Sequence, residues 1–379
     1  MRILYDHQIF ERQEIGGISR CFVELYRNLP KGIESKISLK ESDNVYIKAL
    51  NITGVCPKRT GINHFICRRH FPGKWHLYSW YNGIVKPKES PDYNLINSIE
   101  EIKKGDFDIF HPTYFSDYFM PYLNGKPFVL TIHDMTPELY PQYFRGDNQI
   151  ALKRELAPLA NAIIAVSENT KQDVIRILGV PEEKVHVVYH GCSLSIPKKE
   201  HQPFHYPYIL YVGDRRGYKN FIPFVKQITP VLKHHKELHV ICTGHPFNKD
   251  EKVLFNELGV SHLFINKWAE TDADLYDLYH FAECFVYPSD YEGFGIPILE
   301  AYQADCPVLL NRASCFPEIA KDAAIFFDLD SYDLSDKYEM LFSMSLDERA
   351  SLLDKQRKRL ADFSWEKSAE KLTQIYETL

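Results

Sequence analysis

The sequence predicts an α/β protein built from two doubly wound domains that face a central cleft. Three observations predict it. The chain has 379 residues, strand-like apolar runs alternate with helical periods along it, and the alternation is interrupted once near the middle. Single hydrophobic cores usually stop growing at about 250–300 residues, so this chain is expected to divide. Apolar strands interleaved with helices indicate parallel sheets covered on both faces.

The predicted strands fall into two groups along the chain. The first group is 2–5, 108–111, 128–133, 162–166 and 185–189. The second group is 208–212, 239–243, 284–288, 308–311 and 324–327. Helical patterns lie between the strands, and the clearest covers 274–282 with Thr271 as its N-cap.

The interruption is the segment 193–207, which is polar, contains three prolines and has no periodicity. These features are typical of a linker. We therefore expect an N-terminal domain over 1–192, a linker over 193–207 and a C-terminal domain over 208–363.

Composition excludes several classes of protein. The hydrophobic fraction of 45% and the charged fraction of 25% are those of a globular protein, and the net charge of −6 gives no basic field for nucleic acid. The eight cysteines form no CxxC pair, which argues against a zinc or redox motif. Cys242 and Cys284 lie in apolar runs and are expected to be buried thiols. Early charge argues against a signal peptide, and no apolar run approaches the ~18 residues of a membrane span, so a cytoplasmic protein is predicted.

The segment 55–85 mixes basic and aromatic residues without a helical or strand period. One interpretation is a solvated insertion with partly buried aromatic side chains. The other is a surface for an acceptor or for anionic lipid at the inner face of a membrane, with 58–81 making the contact and Arg68 and Arg69 as the candidate residues.

Candidate functional residues follow the predicted strands, because ligands of doubly wound sheets bind at the carboxyl ends of strands. Gly16 and Gly17 precede a predicted helix over 21–29, where a diglycine permits either close approach of an anion or simply a tight turn. His111 and His133 each end a strand of the first group and are candidates for the cleft.

The second domain offers cations after its first strand. Arg215, Arg216 and Lys219 lie between that strand and the next helix. Arginine presents a planar fork that suits diphosphate oxygens, and lysine adds a point charge. The same cluster also fits a solvated positive loop.

The segment from Glu292 to Glu300 carries the most specific pattern. A Gly-x-Gly turn ends at Gly295, and Pro297 stands where the first helical position would be. Amides at a helix start can hold phosphate. Glu292 precedes the turn and Glu300 lies about one helical turn beyond Pro297, so one carboxylate could reach a sugar and the other a ribose.

These motifs resemble those of the retaining glycosyltransferases of family 4 (glycosyl transferases group 1), which have the GT-B fold of two Rossmann-like domains. The resemblance is carried by 292–300, by Val-Gly-Asp-Arg-Arg-Gly-Tyr-Lys-Asn at 212–220 and by Val-Ser-Glu-Asn-Thr-Lys at 166–171. Further matches are 131–141, 188–191, 311–318 and 363–366.

The resemblance implies a role for each matching residue. Glu292 contacts the donor sugar, with His133 opposite it, and Glu300 binds the ribose. Arg215 and Lys219 neutralise the donor diphosphate, with Arg216 as an alternative to Arg215. The remaining donor-binding positions are Gly16, Gly17, Lys267, Trp268, Gly295, Ile296 and Pro297. The last helix, about 364–379, crosses back onto the first domain.

The function implied is the transfer of a hexosyl unit, with retention, from a UDP- or GDP-linked sugar to a saccharide or lipid-linked saccharide, in bacterial surface polysaccharide or O-antigen assembly. The Asp-x-Asp strings at 106–108, 272–274 and 328–330 are expected to cap or solvate, so neither a catalytic metal nor another cofactor is expected. A nucleotide-sugar epimerase and a non-catalytic nucleotide-sugar-binding protein are the alternatives.

Overall fold

A computed structural model describes residues 1–57, 92–144, 146 and 148–379. The strands are β1 Arg2–Tyr5, β2 Glu34–Ile37, β3 Ile109–His111, β4 Val129–Ile132, β5 Ala162–Ala165, β6 Val185–Val187, β7 Tyr208–Tyr211, β8 His239–Cys242, β9 Phe264–Asn266, β10 Cys284–Tyr287, β11 Val308–Asn311 and β12 Ile325–Phe327.

The described helices alternate with these strands. They are α1 Gln8–Arg12, α2 Gly17–Asn28, α3 Val45–Leu50, α4 Tyr93–Lys104, α5 Thr136–Leu139, α6 Gln149–Leu156, α7 Glu168–Leu178, α8 Phe221–His234, α9 Lys249–Leu258, α10 Asp272–His280, α11 Ile296–Gln303, α12 Phe316–Ala320, α13 Leu334–Phe342, α14 Leu346–Leu360 and α15 Trp365–Tyr376.

The sheets are parallel wherever a register is defined. β2, β1 and β3 form one sheet in that order, and β4, β5 and β6 form another. The largest has the order β12-β11-β10-β7-β8-β9. In it Ile209 of β7 lies between Val240 of β8 and Cys284 of β10. Because all its strands run the same way, the loops that follow them emerge at one edge.

Two compact units are distinguished by the contacts within the chain. The first comprises 1–131, 159–162 and 376–379, and the second comprises 132–158 and 163–375. In the first unit the Tyr5 ring packs against Phe22 and His111, and its hydroxyl lies 3.1 Å from that of Tyr376. The division of the chain at 193–207 stays a prediction, and that segment contains neither helix nor strand.

The six-stranded sheet of the second unit is covered on both faces. Leu210 and Phe285 belong to a buried cluster on one face, whereas Ile209 and Val286 belong to a cluster on the other. Neighbouring residues point to opposite faces because side chains alternate along a strand. The predicted doubly wound α/β organisation is thus confirmed for this sheet.

All ten predicted strands are present within a residue or two of their expected ends. β2 and β9 were not predicted. β2 is a sheet edge with the polar sequence Glu-Ser-Lys-Ile, and β9 has three residues, so neither has the apolar run of a central strand. Thr271 caps α10 in a capping box, and Cys242 and Cys284 are buried free thiols, as predicted.

One helix differs from its prediction in a way that concerns the diglycine. α2 begins at Gly17, four residues before the expected Cys21, so Gly16 is its N-cap. No helix in the described part of the chain is both long and apolar enough to cross a membrane.

Candidate active site

An ion pair joins the ends of two neighbouring strands in the second unit. Lys219 follows β7 and Glu292 follows β10, and Lys219 Nζ lies 2.5 Å from Glu292 Oε1. The two side chains are 18% and 14% exposed. Burial is the largest influence on the pKa of Lys219 and acts to lower it, but Glu292, Tyr218 and Asp134 together raise the pKa above its usual value. A fixed cation and a fixed carboxylate therefore meet at the carboxyl ends of these two strands.

Two further groups hold Glu292 in place, and a third supports Lys219. Ser314 Oγ lies 2.7 Å from the Glu292 carbonyl oxygen, to which it donates, and Glu292 N–H in turn lies 3.2 Å from that hydroxyl. The buried Tyr287 hydroxyl donates to the carboxylate. Burial, followed by the negative charge of Glu292, raises the pKa of Tyr287, so the hydroxyl stays protonated. Tyr218 lies beneath the ammonium, with Lys219 Nζ 5.2 Å from its ring centroid.

Gly293 makes the closest backbone contact of the site. A β-carbon built on it would lie 1.7 Å from the carbonyl oxygen of His133. The Gly293 carbonyl accepts from Ser167 Oγ at 2.6 Å and from Thr170 Oγ1 at 3.2 Å. Only glycine fits here, because any side chain would separate the two backbones. The contact brings His133 beside the Glu292 loop.

A buried ion pair supports the segment that follows His133. Lys153 Nζ lies 3.1 Å from Glu138 Oε2, and it also donates to the Asp134 carbonyl oxygen at 3.0 Å. The two side chains are 2% and 1% exposed. Such a pair fixes geometry because breaking it would leave an unpaired charge in the interior.

His133 itself is neutral at physiological pH. Burial lowers the pKa of His133 to about 4; Asp134 opposes the shift and Lys153 adds to it. Its ring stacks on that of His190, with centroids 5.7 Å apart. A neutral imidazole can accept a hydrogen bond from a sugar hydroxyl, which an imidazolium cannot.

The depressed pKa of His133 predicts a pH effect on stability. The unfolded chain binds a proton at His133 below about pH 6.5, whereas the folded chain does so only near pH 4. The free energy of unfolding should therefore fall as the pH drops through this window, at up to about 1.4 kcal/mol per pH unit for this group. Urea unfolding at pH 7.5 and pH 5 should show a smaller loss for His133→Gln than for wild type. Equal losses would contradict the assignment.

The Gly-x-Gly turn leads directly into α11. Gly295 caps this helix with a φ of 85°, a left-handed conformation that suits glycine. Ile296 is the first helical residue and Pro297 is the second, so the helix begins one residue before the predicted position. Glu300 is buried one turn later, where Tyr279 OH donates to its Oε2 at 3.2 Å. The helix start, Glu300 and the Glu292 loop thus form one continuous segment.

The two arginines of the cationic loop have different environments. Arg215 Nε lies 2.8 Å from Glu251 Oε1, and Nη2 donates to the carbonyls of His245 and Pro246 at 2.6 and 3.1 Å. The Arg215 and Glu251 side chains are 7% and 5% exposed. Arg216 is 85% exposed and pairs with Asp214. Arg215 is thus held rigidly, whereas Arg216 reaches into solvent.

Replacing each arginine by alanine should change the free energy of unfolding by different amounts. Arg215→Ala leaves the buried Glu251 carboxylate without its partner and should lower the free energy of unfolding by about 3–5 kcal/mol. Arg216→Ala removes an exposed pair and should cost less than about 1 kcal/mol. Urea unfolding of both variants measures the difference. Equal losses would show that the Arg215–Glu251 pair is not a buried support.

Four other predicted donor-binding residues have surroundings of their own. Lys267 and Trp268 are exposed and follow β9, and Lys267 N–H donates to the Cys242 carbonyl at 3.0 Å. In the first unit, Gly16 and Gly17 start α2, where the Gln13 side chain accepts from Ser19 N–H at 3.0 Å.

The candidate acceptor residues divide between described and undescribed parts of the chain. His111 is fully buried in the first unit, with Nδ1 2.5 Å from Tyr376 OH and Nε2 2.8 Å from Thr131 Oγ1. This environment favours a packing role for His111. Arg68, Arg69 and the whole stretch 58–81 lie outside the described residues.

Several residues of the site have no role in the sequence-based interpretation. The backbone of the site accepts hydrogen bonds from the side chains of Lys153, Ser167, Thr170 and Ser314. In addition, Tyr291 OH donates to Asp173 Oδ2 at 2.9 Å. A signal was available for two of them, because Ser167 and Thr170 have the spacing of an N-cap and the third residue of the helix that follows β5. Nothing in the sequence near Lys153 indicates its burial.

Comparison with known families decides the classification. Residues 58–196 match the family described as Glycosyltransferase Family 4, and residues 193–359 match Glycosyl transferases group 1. The chain is a member of glycosyltransferase family 4. The family resemblance predicted from the motifs is therefore confirmed.

Two curated relatives of this family 4 chain are named as O-antigen chain mannosyltransferases. It is 29% identical over 211 residues to the O-antigen chain mannosyltransferase RfbU of Salmonella typhimurium, a match over 53% of the chain and 56% of the relative. It is 29% identical over 223 residues to O-antigen chain mannosyltransferase B of Escherichia coli, over 54% of the chain and 58% of the relative. The chain thus spans less than two thirds of the length of these relatives.

Solved structures support the fold. The chain is similar to Anabaena Alr3699/HepE, crystallised in complex with UDP and glucose, with a TM-score of 0.71 and 13% identity over 100% of this chain and 99% of that one. At this identity the likeness concerns the fold. The predicted GT-B fold is confirmed.

Proposed function

We propose that this family 4 protein is a retaining hexosyltransferase that uses a nucleoside-diphosphate sugar. The Lys219–Glu292 ion pair carries the proposal, because it combines a partly buried cation with a carboxylate at the carboxyl ends of two strands of the six-stranded sheet. A cation there stabilises the negative charge that develops on a departing diphosphate. Glu300 and the start of α11 continue the same segment and supply groups for a ribose and a phosphate.

Each residue has a distinct part in the proposed reaction. The bond between the anomeric carbon and the diphosphate oxygen breaks, and an acceptor oxygen bonds to that carbon from the same face. The acceptor proton passes to the departing phosphate. Lys219 balances the charge of the leaving group, and Arg215 or Arg216 assists it. Glu292 holds the sugar, and neutral His133 accepts from a hydroxyl.

Front-face attack is favoured over a double displacement. A double displacement requires a second carboxylate about 5 Å from the first, with the sugar between them. Glu292 is paired with Lys219 and Glu300 is buried against Tyr279, so the two carboxylates have separate tasks. No catalytic metal is required when Lys219 and the helix start compensate the leaving group.

Mannose is the proposed sugar, and a saccharide of bacterial surface polysaccharide is the proposed acceptor. Both O-antigen relatives are named as mannosyltransferases, and so is a third relative from Mycolicibacterium hassiacum. Alr3699/HepE was crystallised with UDP and glucose, so a UDP-linked donor is included among the donors to be tested.

A turnover assay tests the proposal. Release of nucleoside diphosphate is measured with GDP-mannose, UDP-glucose and ADP-glucose, with mannosides as acceptors and with or without a chelator. We expect one donor to be consumed, equally with and without chelator, and NMR to show the donor's anomeric configuration in the product. Glu292→Gln should reduce turnover by about 10²-fold or more. Unchanged turnover in this variant would remove the site assignment, and an inverted product would remove the mechanism.

A further inference from the structure

A second cluster of chemically competent side chains lies where α8 meets α13. α8 ends at His234, and His235 is its C-cap. His235 Nε2 lies 3.0 Å from Glu339 Oε1 and 3.1 Å from Oε2, and His234 Nδ1 lies 3.6 Å from Glu339 Oε1. One ligand atom from each of the three residues lies within 4.8 Å of the others.

These separations fit a small tetrahedral ion. Zinc binds imidazole nitrogen and carboxylate oxygen at about 2.0–2.2 Å, which places neighbouring ligand atoms roughly 3.3 Å apart. The nitrogen-to-oxygen distances of 3.0 and 3.6 Å lie on either side of that value. Two imidazoles and one carboxylate are a donor set that suits zinc, and the fourth position would hold water.

The surroundings of the cluster favour a cation and keep it accessible. The C-terminal end of a helix carries a partial negative charge, and both histidines lie at that end of α8. The His235 ring is oriented by Phe342, with centroids 4.5 Å apart, and by Tyr338 at 6.1 Å. His234, His235 and Glu339 are 75%, 19% and 40% exposed, so an ion can enter from solvent.

We propose that His234, His235 and Glu339 form a binding site for one zinc-class divalent ion that fastens α8 to α13. The site is separate from the Lys219–Glu292 pair. α8 begins at Phe221, just after Lys219, and its 14 residues place the cluster about 21 Å away along the helix. An ion there should stabilise the fold and leave nucleotide binding unchanged.

Calorimetric titration of the chelator-treated full chain with zinc chloride tests the site. We expect one zinc per chain and a Tm that rises with zinc concentration. Affinity should fall at least tenfold in His235→Ala and in Glu339→Gln. His262→Ala, an exposed histidine of the same unit, is the matched control and should bind as wild type does. His234→Ala removes a mostly exposed side chain, so it tests the site without threatening the fold.

Substitution of cobalt for zinc gives an independent readout. Four-coordinate cobalt absorbs visible light much more strongly than six-coordinate cobalt, and this band should appear with wild type and be lost in the variant carrying His234→Ala, His235→Ala and Glu339→Gln. Zinc affinity that is the same in this triple variant as in wild type would overturn the proposal, and so would a wild-type chain that binds no zinc. Neither result would affect the proposed transferase activity.

Discussion

Replacing Gly293 by alanine is expected to abolish sugar transfer and to destabilise the second unit by about 3–5 kcal/mol. The added β-carbon would lie 1.7 Å from the His133 carbonyl oxygen, so two backbone segments must move apart. That movement displaces Glu292, the preceding residue, and breaks the bonds from Ser167 and Thr170 to the Gly293 carbonyl. Urea unfolding and nucleoside diphosphate release measure the two effects.

Gly17→Ala is the matched control for the stability measurement. Apart from its chain neighbours and the backbone of its own helix, no heavy atom lies within 4 Å of a β-carbon at Gly17. Its alanine variant should therefore unfold within about 1 kcal/mol of wild type, because alanine favours the helix that begins there. A Gly293→Ala protein with wild-type stability and turnover would show that the contact with His133 is not made in solution.

Replacing Lys219 by methionine is expected to lower turnover by about 10²–10³-fold. Methionine keeps much of the side-chain bulk but removes the charge that offsets the departing diphosphate. Binding of the nucleoside diphosphate should weaken in this variant, because its oxygens lose the cation. Glu292→Gln should lower turnover while retaining nucleotide binding, because Lys219 is still present. The two variants thus separate binding from chemistry.

Two further variants complete this test. Lys226→Met removes an exposed lysine on α8, seven residues along the chain, and should leave binding and turnover as in wild type. The double variant Lys219→Met, Glu292→Gln removes both charges, so it should be more stable than Lys219→Met alone, which leaves a carboxylate unpaired. Equal nucleotide binding by wild type and Lys219→Met would contradict the assigned role of Lys219.

The strands and one helix cap followed from sequence because their signals are local. Apolar runs predicted the central strands, and Thr271 with Asp274 three residues later predicted the capping box of α10. The edge strand β2 lacks such a run, because only Ile37 of its four residues is buried. Gly16 as a helix cap was missed because Ile18, Ser19 and Arg20 give no clear helical period.

The composition of the site was predictable, but its pairing was not. The motif spacing predicted that Glu292 and Glu300 flank the start of a helix, and α11 does begin between them, at Ile296. Glu292 pairs with Lys219, whereas Arg215 pairs with Glu251. Lys219 ends a short helix over Gly217–Lys219, and Asn220 follows that helix in a left-handed conformation with a φ of 53°. The four-residue spacing between Arg215 and Lys219 does not predict which of the two meets Glu292. The burial of Lys153 depends on Glu138 and Asp134, which are remote in sequence.

Calorimetric titration of the wild-type chain and its Lys219→Met and Glu300→Gln variants with UDP, GDP and ADP tests the central claim most directly. That claim is that the Lys219–Glu292 pair and α11 form a nucleoside diphosphate site. We predict that wild type binds one of the three nucleotides in preference to the others. Each variant should bind it at least tenfold more weakly. Failure of wild type to bind any of them, or equal affinity in all three proteins, would contradict the claim.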